Sequence, residues 1–424
     1  MNETREYRVY ASRWLVLAVY MLANLTVQTL WIAYAPITHQ AMAYYGASEL
    51  QVGLLAMVFM IAFIPFSLPA SWLIDRFGFY PSVAAGAAIV AICGLLRGFA
   101  GPNYALALAA TMGMAAAQPL FLNSWTKVAS AWFPAGERAT AVGLITLANL
   151  LGAGAGTVLS PILAEGMPIA RIQLMYGIAA AVTAVLFIAI AREKPATPPD
   201  ASAEGERALM VAGIKRAMSM KHFRRYLVIA FVGLGIFNGI STWVEGIVVP
   251  RGFSSGQAGI VVAVMLVAGV IGAVVIPALS DRAGKRRRFI IIGLAGAIPG
   301  LVGIALAQSL PLLLASSFVL GFFLVSVNPV GTQYATDIAL PTPEGSSNGL
   351  IALAGQISVV LVYAMEPLKG ATGSYTLPLL CLAVLLVGTI GLAATLKEPS
   401  ALRAEREEGQ QGAAPTPGQA PNRI

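Results

Sequence analysis

The stretches "WLIDRFGFY" (Trp72–Tyr80) and "ALSDRAGKRRR" (Ala278–Arg288) share one core, Asp-Arg-x-Gly, at positions 206 residues apart. Each closes a long apolar run with a carboxylate, an arginine and a glycine turn. A second pair keeps the period: "WFPAGERATAVGL" (Trp132–Leu144) and "ALPTPEGSSNGL" (Ala339–Leu350) set Pro134 and Glu137 against Pro341 and Glu344, an offset of 207. Two unrelated motifs that agree within one residue mark an internal duplication, so the second half is expected to repeat the fold of the first.

The material between the motifs is apolar. With 424 residues, 58% hydrophobic and 11% charged content, and a mean hydropathy of +0.77, the chain is too apolar for a water-soluble globule. Its apolar runs are roughly 20–25 residues long, enough at about 1.5 Å per residue to cross about 30 Å of hydrocarbon. Twelve are read, at 14–38, 50–73, 80–100, 104–130, 138–163 and 170–191, then 224–249, 256–279, 287–307, 310–338, 345–369 and 374–396. Periodicity of 3.6 is weak in several, because lipid and neighbouring helices are both apolar. The expected fold is an all-α membrane protein whose twelve transmembrane helices form two pseudo-symmetric six-helix bundles, 1–191 and 224–396. The Pro- and charge-rich segment 192–223 reads as a cytoplasmic linker ending in an amphipathic helix on the inner leaflet, and 397–424 as a disordered tail.

Orientation follows from charge. With the N-terminus inside, all 27 Lys and Arg except Arg97, Arg171, Arg251 and Lys369 fall on the cytoplasmic side, which places both termini there. The net charge of +8 then reflects topology and anionic lipid, and no nucleic-acid partner is implied. The first run has no small-residue cleavage site and reads as a retained helix. Cys93 and Cys381 lie within helices and are expected to be buried small hydrophobes, not a disulfide or a zinc site. Neither metal nor cofactor is expected. The bilayer midplane offers no His, no acid pair and no nucleophile with a base, so an enzyme is not expected either.

The repeated loops suggest gates. A carboxylate at a helix end, with an arginine beside it and a glycine turn, can pair across the interface between halves and release as the opposite face closes. Asp75, Arg76, Gly78, Glu137 and Arg138 in the first half, and Asp281, Arg282, Gly284 and Glu344 in the second, are the candidates. Plain topogenic charge accounts for the basic residues but not for the repeated acids.

Polar residues halfway along apolar helices are the candidates for a transport site, because such sites lie near the midplane between repeats. They are Asn24, Thr26 and Gln28, Gln118 and Asn123, Asn149, Asn238, Asn328 and Gln356. Trp31 and Asn238 are related by the 207-residue offset, as are Asn149 and Gln356. For any one amide, a hydrogen bond between helices is an equally good reading. Trp31 and Tyr34 stand three residues apart, with Trp31 deep enough to wall a cation cage and Tyr34 an outer gate or rim. Glu245, close to Trp243, either binds a cation or carries a driving proton, or else lines a wet outer vestibule. Asp337 and Lys127 lie near inner helix ends and read as parts of a cytoplasmic gate.

At the duplicated motifs the chain resembles a major facilitator superfamily transporter. Phe79 and Tyr80 depart from the basic pair usual there, while the second copy keeps Lys285 and Arg286. A narrower resemblance is carried by Leu54–Gly78, Ala117–Ala141 and Pro329–Leu350, above all by Pro-x-Pro-Glu-Gly-x-Ser-x-Gly-Leu at Pro341–Leu350. These are similar to the feline-leukaemia-virus-receptor-related (FLVCR-like) branch, whose members are described as carriers of choline, ethanolamine and, earlier, haem. The resemblance implies an aromatic-and-amide cavity in which "LWIAY" supplies Trp31, "AAAQP" supplies Gln118 and "LAGQI" supplies Gln356. In helix seven the branch has a tyrosine where "GIFNGISTW" offers Asn238, so one wall is missing unless Phe237 or Trp243 replaces it.

The function expected is a secondary transporter moving a small organic cation or amino-alcohol, choline- or ethanolamine-like, by alternating access in the inner membrane. Its partners would be a small-molecule substrate and the lipid bilayer, and it would act as a monomer. The alternatives are a carrier of a pyridoxine-like vitamin, haem or an organic anion, or a non-transporting receptor with a transporter fold. Haem is disfavoured because His39 and His222 lie at a helix end and in the linker.

Overall fold

A computed structural model describes residues 9–134, 137–197, 210–339 and 344–398. They form α1 (Ser12–Ile32), α2 (Thr38–Tyr45), α3 (Glu49–Phe77), α4 (Phe79–Phe99), α5 (Tyr104–Leu122), α6 (Trp125–Trp132), α7 (Arg138–Ala164) and α8 (Ile169–Ile190) in the first half. A short helix, α9 (Met210–Ser219), leads into the second half. That half holds α10 (Lys221–Val248), α11 (Ser255–Ala283), α12 (Arg286–Leu306), α13 (Leu310–Ala339), α14 (Glu344–Ile357), α15 (Val359–Thr372) and α16 (Thr376–Ala394). Among the described residues twelve helical stretches are long and apolar enough to cross a membrane, so the first begins and the last ends on the same face. That side is the termini face below, and the opposite one the far face.

Three spans are broken where the sequence suggested continuous helices. The first ends at Ile32, passes through a 3₁₀ turn at Ala35–Ile37 and resumes as α2. Pro36 explains this, since proline lacks an N–H and drives the residue before it away from helical geometry. The fourth span breaks between α5 and α6, where the Asn123 amide donates to Ser67 O at 3.0 Å and Ser71 Oγ at 2.9 Å on α3. The eleventh breaks at Ser358, whose hydroxyl donates to Gly355 O. Broken helices at depth are tolerated where they line a cavity, since freed backbone groups then find partners.

Within the first half α4 packs on α8 and α5, α1 on α7, and α3 on α5; within the second, α13 packs on α11 and α12. The halves meet where α7 touches α11, α3 touches α14 and α15, and α10 touches the Ala35–Ile37 turn. Met57 and Met60 of α3 pack into the core of the opposite half. The contact is lopsided. Gly239 to Val248, the far-face part of α10, are buried on every side, whereas Arg224 and Val228 nearer the termini face are exposed. Glu245 with His39 and Glu49 with Lys369 join the halves at the far face, which is closed.

Lipid-facing residues such as Phe99 and Val384 stay exposed, which accounts for the weak helical periodicity of the sequence. The expected burial of both cysteines fails: Cys93 is half-buried and Cys381 points out of the bundle. The linker's helix is α9, packed on α10 and α14; residues 198–209 and nearly all of the tail, 399–424, lie outside the described residues.

Candidate substrate cavity and far-face barrier

A cavity of about 80 Å³ lies between the halves, well above the ~10–15 Å³ that one water requires. Its polar wall is Gln28 and Trp31 of α1, Gln118 of α5, Asn238 of α10 and Gln356 of α14. Phe59, Met60 and Leu122 complete it, and no lining residue is charged. The structure thus brings together Trp31, Gln118, Asn238 and Gln356, which lie far apart in sequence. Trp31, Gln118 and Gln356 each sit within five residues of a broken helix end.

The side chains are held from behind. The Trp31 indole N–H donates to Ala56 O at 3.2 Å, leaving its ring face to the cavity. Gln28 donates to Asn149 Oδ1 at 2.9 Å, and Asn149 in turn to Ile145 O. Gln118 is only 4% exposed, and its Oε1 has no hydrogen-bond partner among the described residues. A buried acceptor of this kind is costly unless something donates to it.

Three sequence candidates are elsewhere. Tyr34 is buried within the first half, its hydroxyl 2.8 Å from that of Tyr45, because the turn at Pro36 carries it away from the cavity. It is not a rim residue. Phe237 packs on the core of the second half. Trp243 is buried at the far face, donating to Val362 O at 2.8 Å and stacked on Tyr375 at 5.8 Å. Neither replaces the missing aromatic wall. The second ring in the cavity is Phe59, hidden in the sequence among the other phenylalanines of "VFMIAFIPF".

Glu245 is also away from the cavity. It is fully buried in the far-face barrier, where it accepts from His39 N at 2.8 Å across the interface and from Ser255 Oγ in its own half. His39 Nδ1 is 3.7 Å away. Both oxygens are engaged, so the direct cation-ligand and wet-vestibule readings are both corrected. Beside it Glu49 pairs with Lys369 of the opposite half and accepts from the Tyr375 hydroxyl at 2.9 Å. Tyr375 lies between α15 and α16, and burial, reinforced by the Glu49 carboxylate, pushes its hydroxyl well above the usual tyrosine range. It therefore remains a donor.

Arg97, read from sequence as an outer-side charge within the third span, is also buried. Its Nη1 donates to Leu30 O at 3.1 Å, its guanidinium lies 5.2 Å from the Tyr34 ring, and Nε and Nη2 have no hydrogen-bond partner among the described residues. Only its place at the end of an apolar run, without a flanking polar loop, could have signalled this.

At the termini face several motif charges pair within their own half. Asp75 pairs with Lys127, Glu137 with Arg13 at 3.1 Å, and Arg76 lies over the Trp72 and Phe77 rings. Arg138 donates to Phe133 O at 3.1 Å. In the second half Asp281 pairs with Arg286 instead of Arg282, and Arg286 reaches Asp337 at 3.4 Å. Gly284 ends α11 with φ +56°; Glu344 opens α14, and Pro341 lies outside the described residues. Nearby, the backbone N–H groups of Phe79 and Tyr80, at the start of α4, donate to the Glu193 carboxylate at 3.1 and 2.7 Å.

Two six-helix halves around a polar cavity, sealed at the far face, are the architecture of a membrane transporter. The chain belongs to the Major Facilitator Superfamily, whose model matches residues 16–362 and 245–420. It is 31% identical to solute carrier family 49 member A3 of Xenopus tropicalis, over 84% of this chain and 77% of that one. It is 26% identical to the choline/ethanolamine transporter flvcr2b of Danio rerio, over 91% and 84%. Among solved structures it matches a bacterial homologue of the human lysosomal transporter Spinster in an inward-facing, unoccupied conformation. There the TM-score is 0.73 at 16% identity, covering 95% of this chain and 99% of the other, which speaks for the fold.

Proposed function

We propose that this transporter carries a small organic cation or amino-alcohol of the choline or ethanolamine kind by alternating access. The observation that carries the reading is the cavity wall: two aromatic rings, Trp31 and Phe59, and the amides of Gln118, Asn238 and Gln356, with no formal charge. A ring face attracts a poorly hydrated ammonium, and amide oxygens accept from its N–H or hydroxyl groups. An organic anion would lack a cationic partner. A tetrapyrrole would meet Met60 as the one lining residue able to ligate iron, in a space too small for a macrocycle. The relatives named as choline/ethanolamine transporters support the same class.

The excess of basic residues supports a cytoplasmic termini face, and the closed far face would then be the outer one. Glu245 then belongs to the outer latch, not to substrate charge recognition. Proteoliposome uptake of labelled choline and ethanolamine is the test, with saturable flux expected. A panel of amines without saturable flux would overturn the substrate class. The absence of a cavity carboxylate favours one second reading, a neutral polar metabolite of the pyridoxine kind, which competition against choline would reveal.

A further inference from the structure

The geometry points to Gly53 as a gating residue: its missing side chain is the seat for Trp243, and one turn of α3 ties that seat to the cavity. Gly53 belongs to the first half and Trp243 to the second. A Cβ added at Gly53 would meet the indole at Cη2, Cζ3 and Cζ2, standing 2.6 Å from Cζ3, where carbon contacts settle near 3.5–4.0 Å. The ring is 1% exposed, held by its N–H on Val362 O and by its stack on Tyr375, so it has no open direction in which to retreat. The closed far face therefore requires glycine at this position.

The seat is also linked to the cavity. Ala56 lies three residues beyond Gly53, on the same turn of α3, and its carbonyl accepts the Trp31 indole N–H. The ring that faces the cavity and the ring that seals the barrier are thus fastened to one short stretch of one helix. Displacing Trp31 at the cavity moves the seat, and withdrawing Trp243 frees the turn that positions Trp31. Gly53 acts through Trp243 and does not touch the cavity, so its role is positional. The inference rests on alternating access and not on the identity of the substrate.

The test is a double-mutant cycle read by spin labels at Glu165→Cys and Gln308→Cys, two exposed far-face sites in opposite halves, with Cys93 and Cys381 replaced. Gly53→Ala is expected to move the population toward long far-face distances. It should lower the maximal rate of choline exchange by roughly tenfold or more, the scale of an overpacked contact, while choline KM stays near wild type. In the Trp243→Ala background the same substitution should have no further effect, because the ring it strikes is gone. If Gly53→Ala alone cannot be purified, recovery of folded protein in the double variant is the same coupling. Gly53→Ala with wild-type distances, or an equal effect in both backgrounds, overturns the inference. The labels need no substrate, so absent choline flux in the wild type would sink the amine reading and leave the distances to decide this one.

Discussion

Tyr375→Phe isolates the outer latch. The hydroxyl donates to Glu49 Oε1 at 2.9 Å, and Glu49 keeps its pairing with Lys369 when the hydroxyl is removed, so no new unpaired charge is created. Hydrogen bonds to charged groups contribute about 1.5–3 kcal/mol. The lower figure, about 1.5 kcal/mol, applies because the ammonium still serves the carboxylate. Tyr375 contacts Glu49 across the interface only while the far face is closed, so the loss falls on that state alone. The closed-to-open ratio should drop about tenfold at 1.4 kcal/mol per decade. The far-face spin-label pair at Glu165→Cys and Gln308→Cys reads that ratio directly. In a Glu49→Gln background the effect should shrink, since a neutral acceptor binds the hydroxyl less strongly. Because its hydroxyl stays protonated well above the usual tyrosine range, the wild-type latch should not open through this residue between pH 7 and 9. A shift toward closure, or an effect undiminished in Glu49→Gln, would refute the latch.

Three further outcomes follow from the cavity and the packing. Trp31→Ala should raise the choline KM about 2- to 30-fold, from a cation–π term of about 0.5–2 kcal/mol, with Trp31→Phe much milder; unchanged affinity in both variants would remove the cage. Gly78→Ala should lower the melting temperature more than Gly284→Ala, because φ is +100° at the first site and a Cβ there stands 2.6 Å from Glu193 Oε2. The strain is about 1–3 kcal/mol at Gly78, and scanning fluorimetry gives the comparison. Arg97→Met should leave the melting temperature unchanged or raised, since a buried guanidinium with two unbonded nitrogens is often replaced without loss. A clear fall would mean the charge has a counter-ion.

The duplication and the twelve spans were legible because they depend on composition, length and offset, which a linear sequence preserves. Trp31, Gln118 and Gln356 stood out from the other polar midplane residues only through the family resemblance, and Asn238 through the resemblance and the repeat offset from Trp31. What could not be read is where a side chain turns once the helix breaks. Tyr34 is one turn from Trp31 on an unbroken helix, yet the Pro36 turn sends it into the first half. Arg97 and Lys369 illustrate the same limit for charge: both read as outer-side charges near helix ends, and one is buried under Tyr34 while the other latches the two halves. Periodicity also failed to separate Phe59 from its neighbours, since all faces of α3 are apolar.

The two halves began as copies, and their shared motif shows how the copies have diverged. In the second, Asp281 and Asp337 share Arg286, so acids and bases satisfy one another beside the glycine turn. In the first, Phe79 and Tyr80 replace the basic pair, and the acid that approaches is Glu193, at the start of the linker, bound by backbone N–H groups. A helix N-terminus thus holds Glu193, while the motif acid Asp75 keeps a side-chain cation in Lys127. The consequence is directional: the first loop fastens the linker, and only the second retains Lys285 and Arg286 as side-chain charges beside its glycine turn. The cavity has split in the same manner. The first half contributes both rings, Trp31 and Phe59, whereas the second offers Asn238 at the repeat position of Trp31. Under the proposed function a ligand would therefore meet rings from the first half only, and amides from both halves, Gln118 of the first and Asn238 and Gln356 of the second.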